Sequence, residues 1–214
     1  MPLEQGLREQ INDYCKRDLP GDINWHINQF DFIDNVELRN KVGRAFYSAR
    51  FISKLMEGLY VTGDDIHPFV KFQIIQYASI YEAVTTYLLW DKYSEHPEVK
   101  ALQTHKAYKP VSSLGSLTKL TYDGADVFTC VYKDTKTPKN SIPFKDRVDC
   151  AVRIGFIDTA YSEDIKNIYA LRNLAHLESE AVRQVEMELE DSKKGYWRMK
   201  PFTDKIKEFL ANGD

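Results

Sequence analysis

The sequence predicts an all-α protein, an up-and-down helical bundle that carries a small β-hairpin insertion. Three observations carry this reading. Apolar residues recur at helical spacing from Val36 to Leu59. The stretch from Pro68 to about Tyr93 is apolar on nearly every face of a helix. Between Lys106 and Pro143 the helical period vanishes, and two β-prone runs flank a turn at Asp123–Asp126.

Residues 1–35 read as an N-terminal extension, with a short helix over Leu3–Arg17 that Asp18-Leu-Pro-Gly ends. Trp25 to Asp34 has no clear period and is expected to be irregular. In the next segment Val36, Val42, Phe46, Ala49, Ile52, Leu55, Met56 and Leu59 form the apolar stripe. Arg39, Lys41, Arg44, Arg50 and Lys54 fill much of the other face, and Gly58 and Gly63 mark the stop. Pro68 opens the following helix, which must be surrounded, because a helix wet on one side would not carry Val70, Ile74, Tyr77, Ile80, Tyr81, Val84 and Leu88 together. Glu82 sits in its middle. A carboxylate there is costly unless a cation or hydrogen-bond donors meet it.

The runs Leu117–Tyr122 and Val127–Tyr132 predict a hairpin, and 106–143 is too short to bury a core of its own. It therefore reads as an insertion within a bundle spanning 36–179. Phe144–Gly155 returns to helix, with Gly155 as its C-cap. Ser162 is expected to cap the next helix, with Glu163 and Asp164 in its first turn. On that helix Ile168, Leu171, Ala175 and Val182 gather on one side, Arg172 and His176 lie on the flank, and Tyr169 is beside them. Residues 180–214 read as two covering helices, about Glu180–Lys194 and Pro201–Ala211.

The composition excludes several classes. The 214 residues contain 43% hydrophobic and 29% charged side chains, as in ordinary globular domains, and no run is long enough for a membrane span. The start lacks a basic region followed by an apolar stretch, so no secretory leader is expected. Cys15, Cys130 and Cys150 form no C-x-x-C pair, which argues against a disulfide framework or a zinc knuckle and for a cytoplasmic location. His26, His67, His96 and His105 are scattered, so no metal site is expected. The Walker, nucleophile-elbow, zincin and dinucleotide fingerprints are missing. The net charge is −3, but the window from Lys106 to Arg147 holds eight basic and four acidic residues. Such asymmetry suits either an anionic partner or a solvated loop. Within it Lys119, Lys133, Lys136, Lys139 and Tyr132 are the candidate nucleic-acid contacts. Tyr108, Tyr122, Phe128 and Tyr132 would either stack bases or build the hairpin's packed face.

The most informative stretch is Ile165–Glu178, I-K-N-I-Y-A-L-R-N-L-A-H-L-E. Arg172 and His176 are four apart, hence neighbours on one helical face. A guanidinium is a permanently charged fork for phosphate oxygens, and an imidazole exchanges protons near neutral pH. The same spacing also describes a salt-bridged surface pair, with Glu82, Glu178 or Glu180 as partner.

Taken together, F-K-D-R-V-D-C-A-V-R-I-G-F-I, then Y-S-E-D-I-K-N-I-Y-A-L-R-N-L-A-H-L-E, with I-I-Q-Y-A-S-I-Y-E-A-V-T-T-Y-L-L upstream, resembles the HEPN superfamily (higher eukaryotes and prokaryotes nucleotide-binding domains). The resemblance covers about Val36 to Glu178. It implies a helical bundle that dimerises, with the motif helices meeting at a cleft. It further implies either a metal-independent, cofactor-free endoribonuclease of phage defence or a toxin system, or a non-catalytic module. A module of the second kind would bind nucleic acid, a nucleotide or a protein partner such as an antitoxin. By that resemblance Arg172 would bind the scissile phosphate and His176 would move the proton. Asn173 would orient Arg172 or the RNA, and Glu82 would hold Arg172 or Asn173. Three residues separate Arg172 from His176, where four to six are usual in the family.

Overall fold

A computed structural model describes residues 1–111, 113, 120–175 and 187–213. In chain order the elements are α1 (Gln5–Arg17), α2 (Ile23–Asn28), α3 (Val36–Gly58), α4 (His67–Tyr87), α5 (Pro97–Gln103), β1 (Thr104–Pro110), β2 (Leu120–Tyr122), β3 (Ala125–Val127), β4 (Cys130–Lys136), α6 (Phe144–Ile154), α7 (Thr159–Leu174) and α8 (Leu189–Asn212). The described residues are mostly helical, with a small antiparallel β portion. No helix among them is long and apolar enough to cross a membrane.

The axis of the fold is α4. Val70, Ile74, Tyr77, Ala78, Ile80, Tyr81 and Val84 are buried around its whole circumference, and α3, α6, α7 and α8 pack against it. An all-apolar circumference leaves no face for water, so the chain must wrap it. A π-helical turn over Leu88–Lys92 extends the helix and buries Leu88 and Leu89. The α3 helix starts where the Asn35 side chain accepts a hydrogen bond from the Leu38 amide at 3.0 Å. Its second face is drier than its charge suggests. Lys54 keeps only 13% of its side chain exposed, paired with Glu57 at 2.8 Å and with Asp18 at 3.5 Å, because α1 closes over it. The helix expected over Phe144–Gly155 forms as α6 and ends on Gly155 in the left-handed conformation, φ 107°.

Four local expectations are corrected. Residues 25–34 are not wholly irregular: Asp22 accepts from the Trp25 amide at 2.8 Å and starts α2, and Phe30 and Ile33 are buried in the core. Ser162 does not cap α7. Asp158 does, accepting from the Ala160 amide at 2.8 Å, and Ser162 lies buried one turn in. Glu163 and Asp164 are therefore past the first turn and pair with Lys166 and Arg198 instead. The last helices are one helix in the described residues, α8, with Pro201 inside it. A proline costs a helix about 3 kcal/mol. Met199, Phe202 and Ile206 are all buried around it, and at about 1.5–3 kcal/mol each they outweigh that cost. The Pro201 carbonyl also accepts from Tyr161 Oη at 3.0 Å.

The insertion is longer than the predicted hairpin. β2 pairs with β3 across a turn in which Asp123 and Gly124 both have positive φ, 51° and 76°, as a type I′ turn requires. Outside this tip, β1 pairs with β4 from Thr104↔Lys136 to Pro110↔Cys130. Thr-His-Lys-Ala-Tyr-Lys-Pro has almost no apolar alternation, so β1 has no signature in the sequence. Lys119, His176 and residues 180–186, including Val182, lie outside the described residues.

His26 is fully buried among Trp25, Phe46 and Tyr47, and its Nδ1 is 2.8 Å from the Asp22 carbonyl. Burial lowers its pKa below the ordinary 6.5, and Arg50 adds to the effect against the opposing influence of Asp22. The unfolded chain thus binds this proton more readily than the folded one. The stability tied to neutral His26 is full above pH 6.5 and is lost as pH falls from there toward the folded-state value. Urea midpoints measured from pH 8 to pH 5 are expected to drop in that window. His26→Phe, which keeps a ring but cannot titrate, is expected to flatten the drop.

Candidate functional site

Glu82 is the point at which α4, α6 and α7 exchange charge. Placed mid-helix on an apolar rod, it keeps 27% of its side chain exposed and faces two guanidinium groups. Arg147 of α6 lies 3.7 Å from Oε1, and Arg172 of α7 lies 3.7 Å from Oε2. These distances are ionic contacts beyond hydrogen-bond reach. The hydrogen bond is made by Tyr169, whose Oη donates to Glu82 Oε1 at 3.0 Å. Burial, then the bond to Glu82, raises the Tyr169 pKa above its ordinary 10, so the hydroxyl stays protonated and donating.

Helical spacing explains the α7 part. Tyr169 and Arg172 are three apart and share a face. Arg172 Nη1 reaches the Tyr169 hydroxyl at 3.4 Å and Asn173 Oδ1 at 3.3 Å, with its guanidinium carbon 5.3 Å from the Tyr169 ring centroid. Phe144 packs on the Tyr169 ring with centroids 4.2 Å apart. Arg172 is therefore aimed by three neighbours while 35% of its side chain remains exposed. A dry, fully paired arginine would look different.

The two arginines differ in kind. Arg147 is only 9% exposed in its side chain. Its Nε donates to the Ile142 carbonyl at 3.0 Å, Nη2 to the Lys139 carbonyl at 3.3 Å, and Nη1 to Thr86 Oγ1 at 3.1 Å, while Trp90 covers the guanidinium at 5.5 Å. Arg147 thus clips the exit of the β insertion onto α4. The sequence carried a signal for it. In α6, position 147 falls within the stripe of Phe144, Val148 and Ala151, where an unpaired charge is not tolerated.

The structure brings Glu82, Tyr169, Arg172 and Asn173 together, and adds Arg147 and Thr86. His176 lies outside the described residues. The basic set is divided by strand register. Tyr132 and Lys136 share a face with Tyr108 and Lys106, since alternate residues share a face, whereas Lys133 opposes Ala107 on the other. Lys139 stands apart in the turn after β4 and contributes its carbonyl to Arg147. The aromatic residues do not form a buried face: Tyr108, Tyr122, Phe128 and Tyr132 are all exposed. Tyr108 and Tyr132 pair with centroids 4.8 Å apart, and Lys106 Nζ is 6.0 Å from the Tyr132 ring. The three cysteines are free. Compared with known proteins, the chain matches no family, no curated protein and no solved structure.

Two substitutions separate the arginines. Arg147→Met removes three hydrogen bonds and one of two cations beside Glu82, and is expected to destabilise the fold by about 3–5 kcal/mol. Arg172→Met, at a site one-third exposed, is expected to cost about 0–1 kcal/mol. Urea denaturation of both variants measures the difference.

Proposed function

We propose that this chain is a metal-independent endoribonuclease-type domain of the HEPN kind, acting on RNA through Arg172 and His176 at a cleft between two copies. The observation that carries the reading is the aim of Arg172. A charged, partly exposed guanidinium is held by Glu82, Tyr169 and Asn173, with donors left over for a phosphate. Preorganised charge of this kind stabilises a phosphate as negative charge grows on it.

RNA suits such a site because its 2′-hydroxyl is an internal nucleophile already next to phosphorus. The 2′-oxygen attacks phosphorus and the bond to the 5′-oxygen breaks, leaving a 2′,3′-cyclic phosphate and a free 5′-hydroxyl. His176 takes the 2′ proton, and a second acid, the partner copy's histidine in a two-fold cleft, returns one to the leaving oxygen. Arg172 neutralises the phosphate oxygens. Glu82 and Tyr169 are positioning residues that act through Arg172. A toxin or phage-defence setting, with an antitoxin as a further partner, belongs to the same proposal.

Purified protein incubated with RNA in the presence of a chelator is expected to yield 2′,3′-cyclic phosphate ends. Arg172→Ala is expected to lower kcat/KM by about 10²–10³-fold, and His176→Ala by about 10²–10⁴-fold, with far-ultraviolet circular dichroism unchanged. Cleavage that survives both changes, or is absent from the parent protein, rejects catalysis.

A second reading rests on a separate observation, the exposed aromatic and lysine face of the β1–β4 ribbon. Under it the chain binds single-stranded RNA without cutting, the Tyr108–Tyr132 pair stacking bases and Lys106 and Lys136 meeting phosphates. Tyr132→Ala is then expected to weaken binding roughly 5- to 100-fold. Lys136→Ala should reduce the slope of log affinity against log salt by about 0.7, while Lys133→Ala, on the opposite face, changes the slope much less. Fluorescence anisotropy at several salt concentrations distinguishes these outcomes.

A further inference from the structure

A cavity lies on the other side of α4 from Glu82, between α3, α4 and the start of α8. Its volume is about 490 Å³, in the range of small-molecule sites, and Arg50, Glu57, Gln73, Tyr77, Tyr196 and Trp197 are among its walls. It shares no residue with the Glu82 site.

Two polar groups in these walls lack partners among the described residues. Tyr77 is fully buried, and its hydroxyl makes no close hydrogen bond among the described residues; the Arg50 guanidinium beside it acts on it only as a loosely placed donor. The buried Nε of Arg50 is likewise without an acceptor, and no carboxylate among the described residues pairs with Arg50. Its guanidinium lies over the Tyr196 ring, 3.7 Å from guanidinium carbon to centroid. The neighbouring polar groups are engaged already. Gln73 donates to the Phe69 carbonyl and accepts from Ser192, Lys193 pairs with Glu190, and Glu57 pairs with Lys54. Unmet hydrogen-bonding capacity in a native fold calls for a specific account, and here both groups converge on one cavity. An uncompensated cation beside a phenol defines the head group that would satisfy them, an anion that also accepts from a hydroxyl. Apart from Ser53 and Thr62 the rest of the lining is apolar and aromatic, with Trp197 67% exposed and its ring 5.4 Å from that of Tyr196. That part suits a flat, apolar body.

We infer that the α3–α4–α8 cavity binds a small aromatic anion, its carboxylate or phosphate ester on Arg50 and Tyr77 and its ring among Tyr196 and Trp197. Inorganic phosphate alone lacks the ring and should bind far more weakly.

The test uses the full chain, with phenyl phosphate, phenylacetate and inorganic phosphate as probes, followed by calorimetry and tryptophan fluorescence. One of the two aromatic probes is expected to bind saturably with Kd of roughly 0.1–1 mM, and whichever binds tighter identifies the head group. Arg50→Gln is expected to weaken it about tenfold or more, and Tyr77→Phe about three- to tenfold. Should Arg50→Gln fail to fold, Tyr77→Phe decides, because removing an unpartnered buried hydroxyl leaves the melting temperature unchanged or raised. No saturable binding of either aromatic probe below about 10 mM, or affinities equal in the parent and Tyr77→Phe, overturns the inference.

Discussion

One carboxylate organises this protein. Glu82 is a charge in the middle of the most apolar helix, and its presence there obliges two other helices to bring cations to it. The ionic distances of 3.7 Å on either side are long, so neither arginine saturates it, and the Tyr169 hydroxyl supplies the one close contact at 3.0 Å. A buried ion pair seldom adds net stability over an apolar contact, but losing one partner is severely destabilising. The arrangement is therefore better understood as a constraint on geometry than as a source of stability. It fixes where α6 and α7 sit on α4, and hence where Arg172 emerges.

Two arginines around one acid differ chiefly in exposure. Arg147 has its donors placed on two carbonyls and a hydroxyl, so little capacity remains for a ligand. Arg172 makes long contacts with neighbours of its own helix and stays open to solvent. The first holds the insertion to the bundle. The second is free to meet something that is not in the chain. Because both answer to Glu82, the insertion exit and the exposed guanidinium are fixed to the same point of α4.

Much of this was legible in residues. The burial of α4 follows from its apolar circumference, the α6 stop from Gly155, and the need for cations or donors at Glu82 from the cost of a lone carboxylate in such a helix, whereas Arg172 as one of those cations was implied by the family resemblance. What escaped was decided by tertiary context. Ser162 and Asp158 are both good caps by type, and only the burial of Ser162 chooses between them. Pro201 reads as a break because propensity cannot register the core that Met199, Phe202 and Ile206 enter. β1 is a strand because β4 is beside it, not because its own residues alternate. The place of Arg147 in the apolar stripe of α6 signalled a partner for it but not which one, since its acceptors include the backbone carbonyls of Lys139 and Ile142, which no side-chain pattern records.

The two sites draw on α4 in different ways. Glu82 and Thr86 face α6 and α7, where Tyr169 of α7 donates to Glu82 and Arg147 of α6 donates to Thr86. Gln73 and Tyr77 face α8, and there Gln73 finds Ser192, while among the described residues neither the Tyr77 hydroxyl nor Arg50 Nε, across the cavity on α3, makes a close hydrogen bond. Little solvent reaches the buried faces of such a helix to complete an unfinished bond, so a gap there is not the same as a gap on a wet surface. The first face is complete without a ligand and displays one guanidinium outward. The second face is incomplete among the described residues, and the partner we infer for it is an acceptor small enough to enter about 490 Å³. Selection for packing alone would favour phenylalanine at 77, which keeps the ring and leaves no orphan hydroxyl. That tyrosine stands there beside an arginine with no carboxylate partner among the described residues is the physical reason to regard this cavity as a candidate binding site distinct from the Arg172 edge of α7.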